Sequence, residues 1–147
     1  MNRQVLIHTA LPARSVAEAE YVVLLMECRG EVLFVLPRQL GGKTLNLPME
    51  RVRRPEGVPN AIHRALRSIT GREFLVVPKA VVRHVEDQGV LTTWYVYRVP
   101  CDTKHVANVL PGYLDTPWHR PAEALSFTDP ALAVGVPELL RDLYKLP

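Results

Sequence analysis

Six arginines, Arg51, Arg53, Arg54, Arg64, Arg67 and Arg72, crowd one stretch whose nearby acids are only Glu50, Glu56 and Glu73. A guanidinium binds phosphate through a planar, bidentate fork. The stretch is therefore a candidate metal-free site for a phosphate, a nucleotide or a nucleic-acid backbone. The competing reading is a solvated face in which Arg64 is tied to the loop by a carboxylate such as Glu56. A protein partner on the same patch is a third reading. Trp94, Tyr95, Tyr97 and Trp118 are candidates for base stacking. At strand spacing half of such a row belongs to the core, so Trp118, expected in a loop, is the better ligand contact. His84-Val85-Glu86 followed by Pro100-Cys101 partly matches a zinc deaminase pattern. Its second cysteine is absent, with Lys104 in that place, so His84 is read as a surface strand histidine. Cys28 and Cys101 lack CxxC spacing and read as buried or half-buried free thiols, which suits a reducing cytoplasm. No Ser-His-Asp set, phosphate-binding glycine loop or dinucleotide fingerprint is present.

The elements that must position these residues follow from hydrophobic periodicity. Tyr21 to Met26 and Val32 to Leu36 are unbroken apolar runs across Arg29-Gly30, which predicts a hairpin buried on both faces. Gln39 to Lys43 reads as a loop, Leu45 to Pro48 as a short extended piece, and Glu50 to Pro59 as a polar, proline-broken loop. A helix is expected from Pro59-Asn60 to Thr70, with Ile62, Ala65, Leu66 and Ile69 in one stripe and Gly71 as its C-cap. Phe74 to Val77, Ala80 to Val82 and Thr92 to Val99 read as strands, the last two about a turn at Glu86 to Gly89. Pro111 to Pro121 reads as a loop and Pro137 to Lys145 as a closing helix. This order implies an α/β (α+β) fold with a mixed sheet packed by helices.

That order, with the residues from Leu47 to Gly71, resembles the Nudix hydrolase superfamily. The family motif is glycine, five residues, glutamate, seven residues, then arginine-glutamate-apolar-x-glutamate-glutamate-x-glycine. Glu56, Arg64, Leu66 and Gly71 fall on its first glutamate, arginine, apolar position and closing glycine, and Leu47-Pro48 matches the usual approach to it. Tyr21 to Leu36 looks like the opening hairpin of the family. Pro117-Trp118 and Glu123-Ala124-Leu125 look like its late tryptophan-bearing loop and the turn after it. The resemblance departs where chemistry is concerned. Glu50 stands where the family has glycine, and the three helix glutamates fall on Ala65, Ser68 and Ile69. In the family those carboxylates hold magnesium against a diphosphate, because a hard cation requires oxygen ligands. Alanine and isoleucine cannot ligate.

The resemblance thus implies a Nudix-type mixed sheet sandwiched by helices, with a degenerate motif and no catalytic or metal-binding set. The expected role is a binding module for a nucleotide-like ligand, nucleic acid or protein, with Arg51, Arg53, Arg54, Arg64, Arg67 and Trp118 as contacts and no cofactor. One alternative is a divergent pyrophosphohydrolase of nucleoside diphosphate derivatives. It would take magnesium on Glu50 and Glu56, with Glu86 or Asp87. Another alternative is a structural subunit of a larger assembly. The 147 residues suit one domain, 1–147. An apolar share of 48% against 22% charged excludes a disordered chain. No apolar run approaches the roughly 18 residues of a membrane helix. The short run Val5-Leu6-Ile7, interrupted by His8 and Pro12, argues against a signal peptide. A net charge of +3 is too mild to indicate nucleic acid by itself.

Overall fold

The computed structural model describes residues 4–74, 77–104 and 112–147. Along the chain the strands and helices are β1 (Val5–His8), β2 (Ala19–Cys28), β3 (Glu31–Leu33), β4 (Leu36–Pro37), β5 (Thr44–Leu45), β6 (Met49–Arg51), α1 (Gly57–Thr70), β7 (Val81–Asp87), β8 (Val90–Pro100), β9 (Tyr113–Asp115), β10 (Trp118–His119), α2 (Pro121–Ala124), β11 (Ala131–Leu132) and α3 (Val136–Tyr144). The main sheet runs β1-β7-β8-β2-β3-β10, with β6 also paired to β2. It is mixed: β2 and β8 are parallel from Ala19 beside Thr92 to Glu27 beside Pro100, and β1, β3, β6, β7 and β10 join it antiparallel.

β2 is central because every side chain from Val22 to Met26 is buried. Side chains alternate across a strand, so Val22, Leu24 and Met26 face α1 while Val23 and Leu25 face α3. The expected hairpin is present. Its turn, Arg29 at φ 52° and Gly30 at φ 80°, is the doubly left-handed kind whose twist suits two-residue hairpins.

α1 buries Ala61, Ile62, Ala65, Leu66 and Ile69, as its periodicity predicts, and ends at Gly71 in the left-handed conformation. It begins at Gly57, ahead of Pro59. A proline in the first turn costs no intrahelical hydrogen bond, so Pro59 does not delay the start. α3 packs Val136, Leu139 and Leu140 on the other face. There Glu27 accepts from both Tyr144 Oη (2.6 Å) and Arg98 Nη2 (2.8 Å), tying the closing helix to the sheet.

Four sequence expectations change. Met49 to Arg51 is a strand, because Val22 and Val23 offer partners to a segment whose composition alone looks like loop. Residues 113–115 and 118–119 pair as strands inside the expected proline-rich loop. Phe74 and Val77 lie outside any element, while Leu75 and Val76 fall outside the described residues. Arg38 to Leu40 makes one turn of 3-10 helix at the start of the expected loop. Among the described residues no helix is long and apolar enough to cross a membrane.

Candidate functional site

The motif region is organised by one side chain. Arg64, on α1, donates from Nε to Glu50 Oε2 (2.7 Å), from Nη1 to Glu56 (2.6 and 2.7 Å) and from Nη2 to the carbonyl of Arg51 (3.0 Å). Glu56 also accepts the backbone N–H of Arg53 at 3.0 Å. A single guanidinium thus joins β6, the 52–56 loop and the helix. The Glu56 carboxyl is held below its ordinary pKa, first by the Arg53 N–H and then by Arg64. The Arg64 guanidinium is raised, first by its hydrogen bond to Glu50.

α1 covers only part of its face of the sheet. Beside it, Glu20, His84, Thr93 and Tyr95 form the floor of a cleft of about 760 Å³, walled by Leu11, Val16 to Ala19 and the Arg51–Gly57 segment. The ladder explains the floor. Glu20 stands beside Thr93, Thr93 opposite His84, and His84 opposite His8, so these side chains share a face. They are bonded in pairs: Tyr95 Oη donates to Glu20 at 2.5 Å, His84 Nδ1 meets Thr93 Oγ1 at 2.9 Å, and His8 Nε2 donates to Glu86 at 3.0 Å. The Tyr95 hydroxyl is pushed up to about 12, chiefly by its bond to Glu20, so it stays a donor. Burial, then the neighbouring His8, lowers the pKa of His84.

The expected contact residues are divided by this arrangement. Arg51, Arg53 and Arg54 are exposed residues of the cleft wall. Among the described residues their side chains make no ion pair within 4.0 Å. Arg51 stands opposite Tyr21, so its Cβ leaves the sheet on the face away from the floor, and Arg53 and Arg54 are the better placed pair. Arg64 is spent on the two glutamates. Arg67 pairs with Glu73 at 2.8 Å, outside the cleft. Trp118 is on β10 opposite Leu33, half-buried against the α1-side core and not in the cleft.

Trp94 and Tyr97 are core, at 6% and 7% exposure, leaving Tyr95 as the aromatic of that row in the cleft. Cys28 is buried and Cys101 half-buried, both as free thiols. Cys101 lies past the far end of β8, roughly 26 Å along the ladder from the partner of His84, so the partial zinc pattern is not assembled. Sequence reading missed Glu20, Thr93 and the cleft-floor position of His84. Only strand alternation hinted at them, and the parallel pairing that aligns β2 with β8 leaves no local signature.

No family model matches the chain, and neither does any curated protein. Solved structures do. The chain is similar to the E. coli ORF135 protein at TM-score 0.68 and 25% identity, over 92% of this chain and 94% of that one. The NUDIX domain of Shewanella oneidensis NrtR, solved with ADP ribose, matches at TM-score 0.67 and 16% identity, over 92% of each chain. A MutT protein from Methanosarcina mazei matches at TM-score 0.69 and 14% identity, over 86% and 93%. The chain has the Nudix fold.

Within the Nudix fold, the positions that the motif resemblance assigns to metal-holding glutamates are Ala65 and Ile69, each 2% exposed in the core, and Ser68, exposed on the helix surface. The remaining carboxylates, Glu50 and Glu56, are occupied by Arg64. Glu86 belongs to β7 and accepts from His8. Among the described residues no three His, Cys, Asp or Glu stand together as a metal site. The described residues do not fit a magnesium ion.

Proposed function

We propose that this protein is a non-hydrolytic Nudix-fold binding module for a small phosphate-bearing ligand, held in the cleft beside Arg53 and Arg54. The observation that carries the reading is the Arg64 clamp. A guanidinium sits between the two carboxylates that a hydrolase would need for its cation. The helix turn that would add further ligands is buried apolar surface at Ala65 and Ile69. The same clamp holds the loop that carries Arg53 and Arg54, so the arginines are presented on a fixed backbone. Exposed guanidiniums suit an anion that arrives from solvent.

The test is calorimetric titration at low salt with inorganic pyrophosphate and with ADP-ribose, the ligand of the Shewanella domain. Saturable binding that is weakened by R53A and R54A is expected, with no magnesium-dependent release of phosphate or nucleotide. Turnover abolished by E56Q would establish the hydrolase alternative. Failure of every small anion to bind, with labelled RNA binding instead, would move the reading to nucleic acid. Failure of both would favour a protein partner.

A further inference from the structure

The lining of the cleft carries both signs of charge: Arg53 and Arg54 on the wall after β6, Glu18 on the wall before β2, and Glu20 on the floor. They are close in the fold, since Val52 N donates to Glu20 O at 2.9 Å. Even so, among the described residues Glu18, Arg53 and Arg54 make no side-chain ion pair or hydrogen bond. Among the same residues the Glu20 carboxylate is bonded only to a neutral hydroxyl, that of Tyr95. Charges of both signs that line one cleft without pairing with one another remain available to a third molecule.

We infer that the ligand of this cleft is zwitterionic: an amine set beside Glu18, Glu20 and Tyr95, and a phosphate on Arg53 and Arg54. This rests on the phosphate reading above and adds the chemistry of the ligand's other end. An ammonium gains from carboxylates and from the face of a tyrosine ring together. Strand alternation directs Glu20 to the floor side that carries Thr93 and His84, and Glu18, just before β2, lines the same cleft. The Tyr95 bond fixes the orientation of one carboxylate before any ligand arrives. A volume of about 760 Å³ leaves room for a carbon skeleton between the two charged ends. Leu11, Ala17, Pro55 and Val16, the last 82% exposed, supply apolar contact for it. A second anionic group near Glu18 and Glu20 is repelled, so a compact polyanion is the poorer fit.

The experiment compares a series of aminoalkyl phosphates of increasing chain length with the matched alkyl phosphates, by calorimetry at neutral pH. At least one aminoalkyl phosphate is expected to bind about tenfold tighter than its amine-free partner. E18Q and E20Q should abolish that preference while leaving the alkyl phosphate bound as well or better. R53A and R54A should weaken both members of the pair. E18Q removes no side-chain bond among the described residues, so it isolates the charge from loss of structure. Binding of alkyl phosphates with no amine preference, or a preference that survives E18Q and E20Q, overturns the inference and leaves the phosphate reading standing. If neither series binds, both fall.

Discussion

Replacing Arg64 with alanine tests the organisation of the site most directly. The side chain makes four charged or backbone-directed contacts between 2.6 and 3.0 Å, to Glu50, Glu56 and the Arg51 carbonyl. The ion-pair members are half-buried, at 27%, 28% and 19% exposure. A hydrogen bond to a charged group contributes about 1.5–3 kcal/mol, and a surface pair about 0–1 kcal/mol. The contacts share one guanidinium and do not add, and water reaches the released carboxylates. An overall loss of about 2–4 kcal/mol is expected for R64A. At about 2–4 °C per kcal/mol for a domain of this size, the melting temperature should fall by roughly 5–15 °C.

R53A, which removes an exposed side chain with no ion pair within 4.0 Å among the described residues, should shift it by about 1–2 °C at most. R64K keeps the charge but not the fork, and should fall between. R64A also leaves two uncompensated carboxylates close together. Magnesium should therefore raise the melting temperature of R64A while leaving the wild type unmoved. Calorimetric melts with and without magnesium read all of these values. An R64A protein that melts with the wild type would refute the clamp. So would magnesium stabilisation of the wild type.

L66D buries an unpaired charge in the α1-side core, where Leu66 is 1% exposed, and should destabilise by several kcal/mol (about 3–5) in denaturant titrations. A near-neutral result would contradict the packing of α1. At Gly135, φ is 87° and an added Cβ would lie 2.8 Å from Trp94 Cη2, so G135A should cost about 1–3 kcal/mol and alter tryptophan fluorescence. Unchanged fluorescence with full stability would show that α3 is not seated on Trp94. His84 has a folded-state pKa below its ordinary value of about 6.5, from burial first and His8 second. The unfolded chain takes up the proton first, so stability should fall as pH drops below about 6.5 toward the folded value. H84Q should flatten that slope, and an unaltered profile would remove His84 as its source.

The helix of the motif, its apolar stripe and its glycine cap were legible in the sequence, because helical periodicity and capping are local properties. So were the opening hairpin, the long β8 strand and the closing helix, each marked by an apolar run or stripe with turn chemistry at its end. The type and spacing of residues also marked Ala65 and Ile69 as unable to ligate, since side-chain chemistry does not depend on the fold. The alternatives for the arginines stayed open in the sequence, and the tertiary structure shows where each side chain stands. Arg64 became a brace because α1 carries it against β6, and Arg67 turned to Glu73. Trp118 went to a strand partner, while Arg53 and Arg54 stayed exposed beside a cleft.

The assembly of the cleft floor was beyond the sequence. Glu20, His84, Thr93 and Tyr95 lie on three strands and meet only because β2 runs parallel to β8 while β7 runs antiparallel to it. Register across non-adjacent segments is set by the burial of whole faces, with Val22 to Met26 locked between two helices. One residue of slip would have turned these polar groups into the core.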